Sequence, residues 1–324
     1  MNNNKYQVRL TRVNLCITNN CNLHCRMCDY PINKINEKEL SFSQIISFID
    51  DAHTIGLKRL ELSGGEPMIR KDIFEIIKHA TDLSIKTDLM SNGTLMEGKE
   101  VELLVGAGLN EVTISLEGFE ELNNTMRGNG HFRKAVSAIT EFRKYEHQMD
   151  AIRVGITVSK YNFEQLLQFV KFLYEDMGIK AISFSPFQRE MLQPKNYEQR
   201  KDIFEITSKE MPFLVEEFNK IIEYIKFKNI DYLPESFLIR IPNYFAGDRL
   251  IPEYGCHEPL DSCAVDASGK VYPCWGEPVC VGDITQTSIL DIVHNNDYQF
   301  FCDKAINKRC KGCLSACYAA SSYS

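Results

Sequence analysis

Arg12-Val-Asn-Leu-Cys16-Ile-Thr-Asn-Asn-Cys21-Asn-Leu-His-Cys25-Arg-Met-Cys28 joins a strand-like run to three cysteines spaced CxxxCxxC. Its first part, Arg12–Ile17, is rich in β-branched and apolar side chains and reads as a strand. Its second part offers three thiols from one loop. Thiolates are the usual ligands of iron–sulfur clusters, and four saturate a four-iron cube. Three from one loop leave one iron open to an outside ligand, as a catalytic metal site requires. A zinc knuckle is the competing reading. It would pair Cys25 with Cys28 and draw on His24 or Cys16, and His24 lies between two of the proposed ligands.

Outward from this stretch, further strands are expected at Arg59–Ser63, Lys86–Met90, Glu111–Ser115, Ile152–Val158 and Ala181–Ser185. Amphipathic segments separate them. One opens at Ser41 with Gln44 three residues on, a capping box, and stops at Gly56; others cover about 70–82, 97–106, 132–147 and 163–177. Repeated strand–helix units imply a parallel sheet, because parallel neighbours need crossovers. Six units predict a partial (β/α)6 TIM-type barrel, an α/β fold whose ligands sit at the carboxyl ends of the strands. Those ends carry Ser63-Gly64-Gly65-Glu66-Pro67, Ser91-Asn92-Gly93 and Ser115-Leu116-Glu117-Gly118, followed by Arg127-Gly128. Each alone is ordinary turn chemistry. In order, at successive strand ends, they mark one site.

CxxxCxxC after a first strand, with Gly64-Gly65-Glu66-Pro67 after the second, resembles the radical S-adenosylmethionine (SAM) superfamily. The resemblance implies a 4Fe–4S cluster on Cys21, Cys25 and Cys28 whose open iron is chelated by SAM's methionine. Reductive cleavage of SAM then gives a 5′-deoxyadenosyl radical that abstracts a substrate hydrogen. It also implies that Gly64, Gly65, Glu66 and Pro67 hold the methionine amine, and that Ser91, Asn92, Ser115, Glu117 and Arg127 contribute to the SAM site. The family has an aromatic residue before the third cysteine where this chain has Met27, so Tyr30 is the candidate ring. Glu117 stands where many relatives carry Asp.

Of twelve cysteines, four lie in 16–28 and eight in 256–317, with none between. Two groups at opposite ends read as two metal regions. The second contains Asp266-Ala-Ser-Gly269-Lys-Val-Tyr-Pro273-Cys274, a hairpin pattern that delivers Cys274, and a CxxCxxxC tail of Cys310, Cys313 and Cys317. This segment resembles the SPASM auxiliary-cluster domain or its shorter relative, Twitch. The resemblance implies one or two auxiliary iron–sulfur clusters drawing on Cys256, Cys263, Cys274, Cys310, Cys313 and Cys317. A zinc ribbon is the competing reading. Cys280, Cys302 and Cys16 fit no motif; each is a candidate hydrogen-atom donor or a buried small apolar residue. The expected organisation is a core over 1–240, with bridging helices from about 195, and an auxiliary domain over 241–324.

Composition is that of a globular protein, with 44% hydrophobic and 25% charged residues. A net charge of −7 argues against nucleic acid as partner. No signal-peptide pattern or membrane-length apolar run occurs, so a cytoplasmic enzyme is expected. The resemblance implies a reductant such as flavodoxin or ferredoxin. It further implies a peptide substrate whose side chains are crosslinked, epimerised or oxidised, or alternatively a small molecule such as a sugar or aminocyclitol. A non-catalytic zinc or electron-transfer module is the alternative of another class.

Overall fold

The computed structural model describes residues 5–28, 38–187, 204–232, 234–248, 250–276 and 279–314. Six parallel strands stand in chain order: β1 (Arg12–Thr18), β2 (Arg59–Gly64), β3 (Lys86–Ser91), β4 (Glu111–Ser115), β5 (Ala151–Val158) and β6 (Ala181–Pro186). The crossovers carry α1 (Phe42–Thr54), α2 (Ile73–Asp82), α3 (Gly98–Gly106), α4 (Glu120–Arg127), α5 (His131–Arg143) and α6 (Leu166–Glu175). β1 and β6 do not pair, so the barrel is partial, as expected. The Ser41–Gln44 capping box is made in both directions. α4 was not expected from sequence, and the helix expected over 132–147 ends at Arg143.

After β6 come α7 (Met211–Lys228), β7 (Asp231–Tyr232), α8 (Glu235–Leu238), α9 (Arg240–Phe245) and α10 (Glu258–Asp261). β8 (Ser262–Val265) then pairs parallel with β1, β9 (Lys270–Tyr272) antiparallel with β8, and β10 (Gly282–Asp283) antiparallel with β9. The cysteine-rich segment therefore extends the barrel's own sheet to ten strands. It closes with α11 (Ile289–His294) and α12 (Asn296–Ile306).

Strand alternation separates two faces. Leu60, Leu62, Leu89, Val112, Ile114, Val154 and Ile156 are buried in the hydrophobic core with the apolar sides of the helices. Arg59, Glu61, Asp88, Glu111 and Arg153 occupy the alternate positions and face inward. A closed barrel fills that interior with branched apolar side chains; this one lines it with charge. Phe184 of β6 is fully buried and meets Phe218 of α7 edge-on, at 5.7 Å and 70°. It is core, as its residue type suggests.

Phe184→Ala removes the ring that locks α7 to the sheet. Stability is expected to fall by about 3–5 kcal/mol, read from the urea midpoint. A loss below about 1 kcal/mol, the size of a typical surface change, would show that this contact does not hold the helix.

Candidate active site

The three thiols occupy the loop leaving β1. Arg26 N–H donates to the Met126 carbonyl at 2.8 Å, fastening the loop to the end of α4, and the Arg26 guanidinium lies 5.5 Å from the Tyr161 ring centre. Asn22 bonds Asn92 at 2.9 Å and Thr94 at 2.8 Å, fastening it to the turn after β3. Burial pushes the Cys25 thiol up to about 11, with Cys28 and Cys21 adding to the rise and Arg127 opposing it. Cys21 is raised by burial first, and also by Glu66 and Cys28. The three sulfurs thus lie within electrostatic reach of one another and of the Gly64–Pro67 turn. Among the described residues no three His, Cys, Asp or Glu side chains converge on a single ion. Three thiols from one loop, with the fourth corner left open, are a donor set that fits a four-iron cube.

Gly64 and Gly65 face backbone. A Cβ at Gly64 would stand 2.3 Å from the Thr18 carbonyl oxygen, and one at Gly65 2.1 Å from that of Asn20. In return Gly65 N–H donates to Thr18 O at 2.8 Å and Glu66 N–H to Asn20 O at 2.7 Å. The glycines are needed where the turn meets the root of the thiol loop. The Glu66 carboxylate is 1% exposed and accepts from Met68 N–H at 3.1 Å, Ser91 Oγ at 2.8 Å and Asn92 N–H at 2.8 Å. Burial raises its pKa against these bonds. Three of the roughly four lone-pair sites of a carboxylate are thereby engaged. Pro67 starts a short 3-10 turn, Pro67–Ile69.

Glu117 is fully buried. One oxygen accepts from Arg127 Nε at 2.9 Å and the other from Thr157 N–H at 2.7 Å. Its extra methylene, relative to Asp, reaches Arg127 rather than the mouth. Arg127 is 12% exposed at its side chain; burial opposes its charge, but Glu117, Cys25 and Cys28 raise its pKa above the usual guanidinium range. Ser115 ends β4 in register with Gly155. Tyr30 lies outside the described residues.

Several residues at the mouth carry no motif. Asn123 accepts from Glu117 N–H at 2.9 Å and meets His131 Nδ1 at 2.8 Å. Burial and then Arg127 lower the His131 pKa to about 3, so the ring is neutral and its Nδ1 accepts. Arg70 donates to the carbonyls of Ile17 and Leu40, both at 2.9 Å, while Asp72 grips its other nitrogens. Glu39 accepts from Asn19 N–H at 2.6 Å and Thr18 Oγ at 3.0 Å. Asn123 stands six residues after Glu117, inside α4, and like Arg70 and Glu39 it carried no sequence signal.

In the second region, Cys256, Cys274, Cys310 and Cys313 line one cavity. Gly276 sits between two of them: a Cβ there would be 3.5 Å from the Cys313 sulfur and 3.6 Å from that of Cys274. Cys263 is not in this set. β8 places it in register with Val13, and it is 4% exposed in the apolar core, where burial pushes its thiol up to about 12. Of the expected ligands, Cys256, Cys274, Cys310 and Cys313 thus line the cavity, while strand pairing with β1 places Cys263 in the core beside it. Cys317 lies outside the described residues. Cys302 is fully buried, with its sulfur 3.9 Å from the Pro259 carbonyl, and Cys280 is exposed. Cys16 lies on the strand face that carries Asn14: its sulfur is 3.6 Å from Ser63 Oγ, and Ser63 donates to Asn14 at 3.0 Å. Trp275, next to Cys274, also donates to Asn14, at 3.2 Å, so the cysteine-rich hairpin reaches into the barrel.

Residues 15–173 match the family model described as the radical SAM superfamily, and 256–314 match that of an iron–sulfur cluster-binding domain, SPASM. The AdoMet-dependent heme synthase of Methanosarcina barkeri is 28% identical over 327 residues, covering 94% of this chain and 91% of that protein. The structure of Streptococcus suis SuiB bound to precursor peptide SuiA is similar at a TM-score of 0.72 and 17% identity, over 92% of this chain and 67% of that one. That of anSMEcpe with bound AdoMet is similar at 0.72 and 18%, over 97% and 88%.

Replacing Cys256 or Cys274 by Ala is expected to lower the iron content of anaerobically reconstituted protein, whereas Cys263→Ala leaves it unchanged. Iron lost on Cys263→Ala, in protein whose melting temperature is retained, would return Cys263 to the ligand set.

Proposed function

The chain belongs to the radical SAM superfamily and carries a SPASM iron–sulfur domain, and from that premise we propose that it is an enzyme that modifies a peptide side chain. The cofactors are a 4Fe–4S cluster with SAM and at least one auxiliary iron–sulfur cluster. Bound together, cluster and SAM supply a radical able to take a hydrogen atom from an unactivated carbon.

Cys21, Cys25 and Cys28 hold that cluster. Metal binding requires their thiolates, so loading releases protons, and burial raises the Cys21 and Cys25 thiols that give them up. Arg127 is the buried cation that opposes their rise in pKa, and Glu117 positions it. The turn 64–67 and the Ser91–Asn92 strand end take the methionine end of SAM, with Glu66 bracing both through its three hydrogen bonds. Backbone groups of the turn and the remaining acceptor site of Glu66 are the contacts offered to an ammonium. Ser115 completes the row. The auxiliary cluster is held by Cys256, Cys274, Cys310 and Cys313.

One observation carries the peptide reading: the same barrel-plus-auxiliary arrangement, over 92% of this chain, is held by SuiB in a structure bound to its precursor peptide. A second reading, a heme precursor as substrate, is favoured by the heme synthase related over nearly the whole length of both proteins. No described helix is long and apolar enough to cross a membrane. We place the enzyme in the cytoplasm, where thiols stay reduced, with a flavodoxin or ferredoxin as reductant.

With dithionite, the reconstituted enzyme is expected to release 5′-deoxyadenosine from SAM, and Ala at Cys21, Cys25 or Cys28 to abolish it. Continued release in any of the three variants would remove the cluster assignment. Co-expression with short reading frames beside the gene is expected to yield a peptide whose mass or stereochemistry changes, read by mass spectrometry and chiral amino-acid analysis. Conversion of a heme precursor with no peptide changed would replace the first reading by the second.

A further inference from the structure

The inward face of the sheet carries three carboxylates in register on adjacent strands. Glu61 of β2 lies opposite Asp88 of β3, and Asp88 opposite Glu111 of β4. Neighbouring strands stand about 4.8 Å apart, so the row is compact. Its outer members are matched. Arg12 approaches Glu61 at 3.6 Å and also pairs with Glu258; Arg59 holds Glu111 at 2.9 Å. Arg153 lies 4.0 Å from Glu111 but 2.7 Å from Asp231.

Asp88 differs from both neighbours. It is 8% exposed, no cation pairs with it among the described residues, and its buried Oδ1 has no hydrogen-bond partner. Leaving a buried carboxylate without donor or counter-charge is costly. Burial, with Glu61 and Glu111 beside it, raises its acid to about 7 despite Arg59 and Arg153. Toward the mouth on the same face, Met90, two residues further along β3, is 38% exposed. Asp88 lies three residues before Ser91 on the same strand, which at the rise of a β-strand is about 10 Å below the strand-end site.

We propose that Asp88, flanked by Glu61 and Glu111, binds a cationic group of the substrate, a primary ammonium or guanidinium, and so selects which side chain reaches the radical. This rests on the peptide reading and sharpens it: the substrate peptide presents a lysine or arginine side chain into the barrel. The barrel interior is short of positive charge at one carboxylate, and a substrate cation supplies it. A ligand rich in carboxylates meets like charge there instead.

Two probes of equal length and opposite charge, pentylammonium and pentanoate, test this by ligand-observed NMR on the reconstituted full-length enzyme with SAM. Pentylammonium is expected to bind and pentanoate not. Asp88→Asn, checked for iron content and melting temperature, is expected to weaken pentylammonium about tenfold or more. Equal binding of the two probes, binding of neither, or unchanged ammonium affinity in folded Asp88→Asn would overturn the proposal; where that variant does not fold, the wild-type comparison decides alone. Charge-selective binding with no peptide modified on co-expression would keep the site and remove the peptide reading. A modified peptide without charge selectivity would do the reverse.

Discussion

The backbone contact of Gly64–Glu66 with Thr18–Asn20 fixes where the thiol loop begins, and all geometry at the mouth follows from it. A loop of three cysteines has no core of its own. Its position is set by what it is tied to, and the first tie is a pair of hydrogen bonds that a Cβ at residue 64 or 65 would break. Glu66 then carries the constraint sideways: its three acceptor contacts join the end of β2 to the end of β3. Asn92, held by Glu66, returns the link to the loop through Asn22. The carboxyl ends of β1, β2 and β3 form one closed circuit of hydrogen bonds, the rigid support that a precise cofactor site needs.

Charge is arranged on the same plan. Burial disfavours the Cys21 and Cys25 thiolates, and the buried Arg127 guanidinium offsets part of that cost. A buried ion pair is a poor source of stability, and its better-attested use is to specify position. Glu117 fits that use: fully enclosed, it holds Arg127 with one oxygen and the β5 backbone with the other. Asn123 and the neutral His131 extend the same support from α4 into α5.

Strand positions, strand direction and the CxxxCxxC loop were legible in the sequence because each rests on local periodicity or spacing. The six parallel strands fall where β-branched runs placed them, and the capping box at Ser41 is made as written. What escaped was set by contacts distant in sequence. Glu117 reads as a mouth residue because it ends a strand, and only the fold shows it turned toward Arg127. Cys263 reads as a ligand by resemblance, and its burial in the core beside Val13 is not visible in its spacing. Its orientation depends on β8 pairing with β1, a contact about 250 residues away along the chain. Arg70 and Glu39 bind backbone groups at the end of β1, and nothing in their surrounding sequence announces that role.

The two metal regions meet through one asparagine. Asn14 on the inner face of β1 accepts from Trp275 of the auxiliary hairpin and from Ser63 of β2, with the Cys16 sulfur beside Ser63. The auxiliary unit therefore forms part of the barrel wall rather than a separate lobe, because β8 continues the sheet from β1. Of the three unassigned cysteines, Cys16 is the one that lies beside Ser63 and Asn14 at this junction. The same interior also bears on the choice of substrate. On the proposed reading, Asp88, the carboxylate of that wall left without a pairing cation among the described residues, disfavours an incoming carboxylate by like-charge repulsion and suits a basic side chain. If Asp88 meets the substrate, as proposed, the charge around it bears on what enters more directly than overall relatedness does.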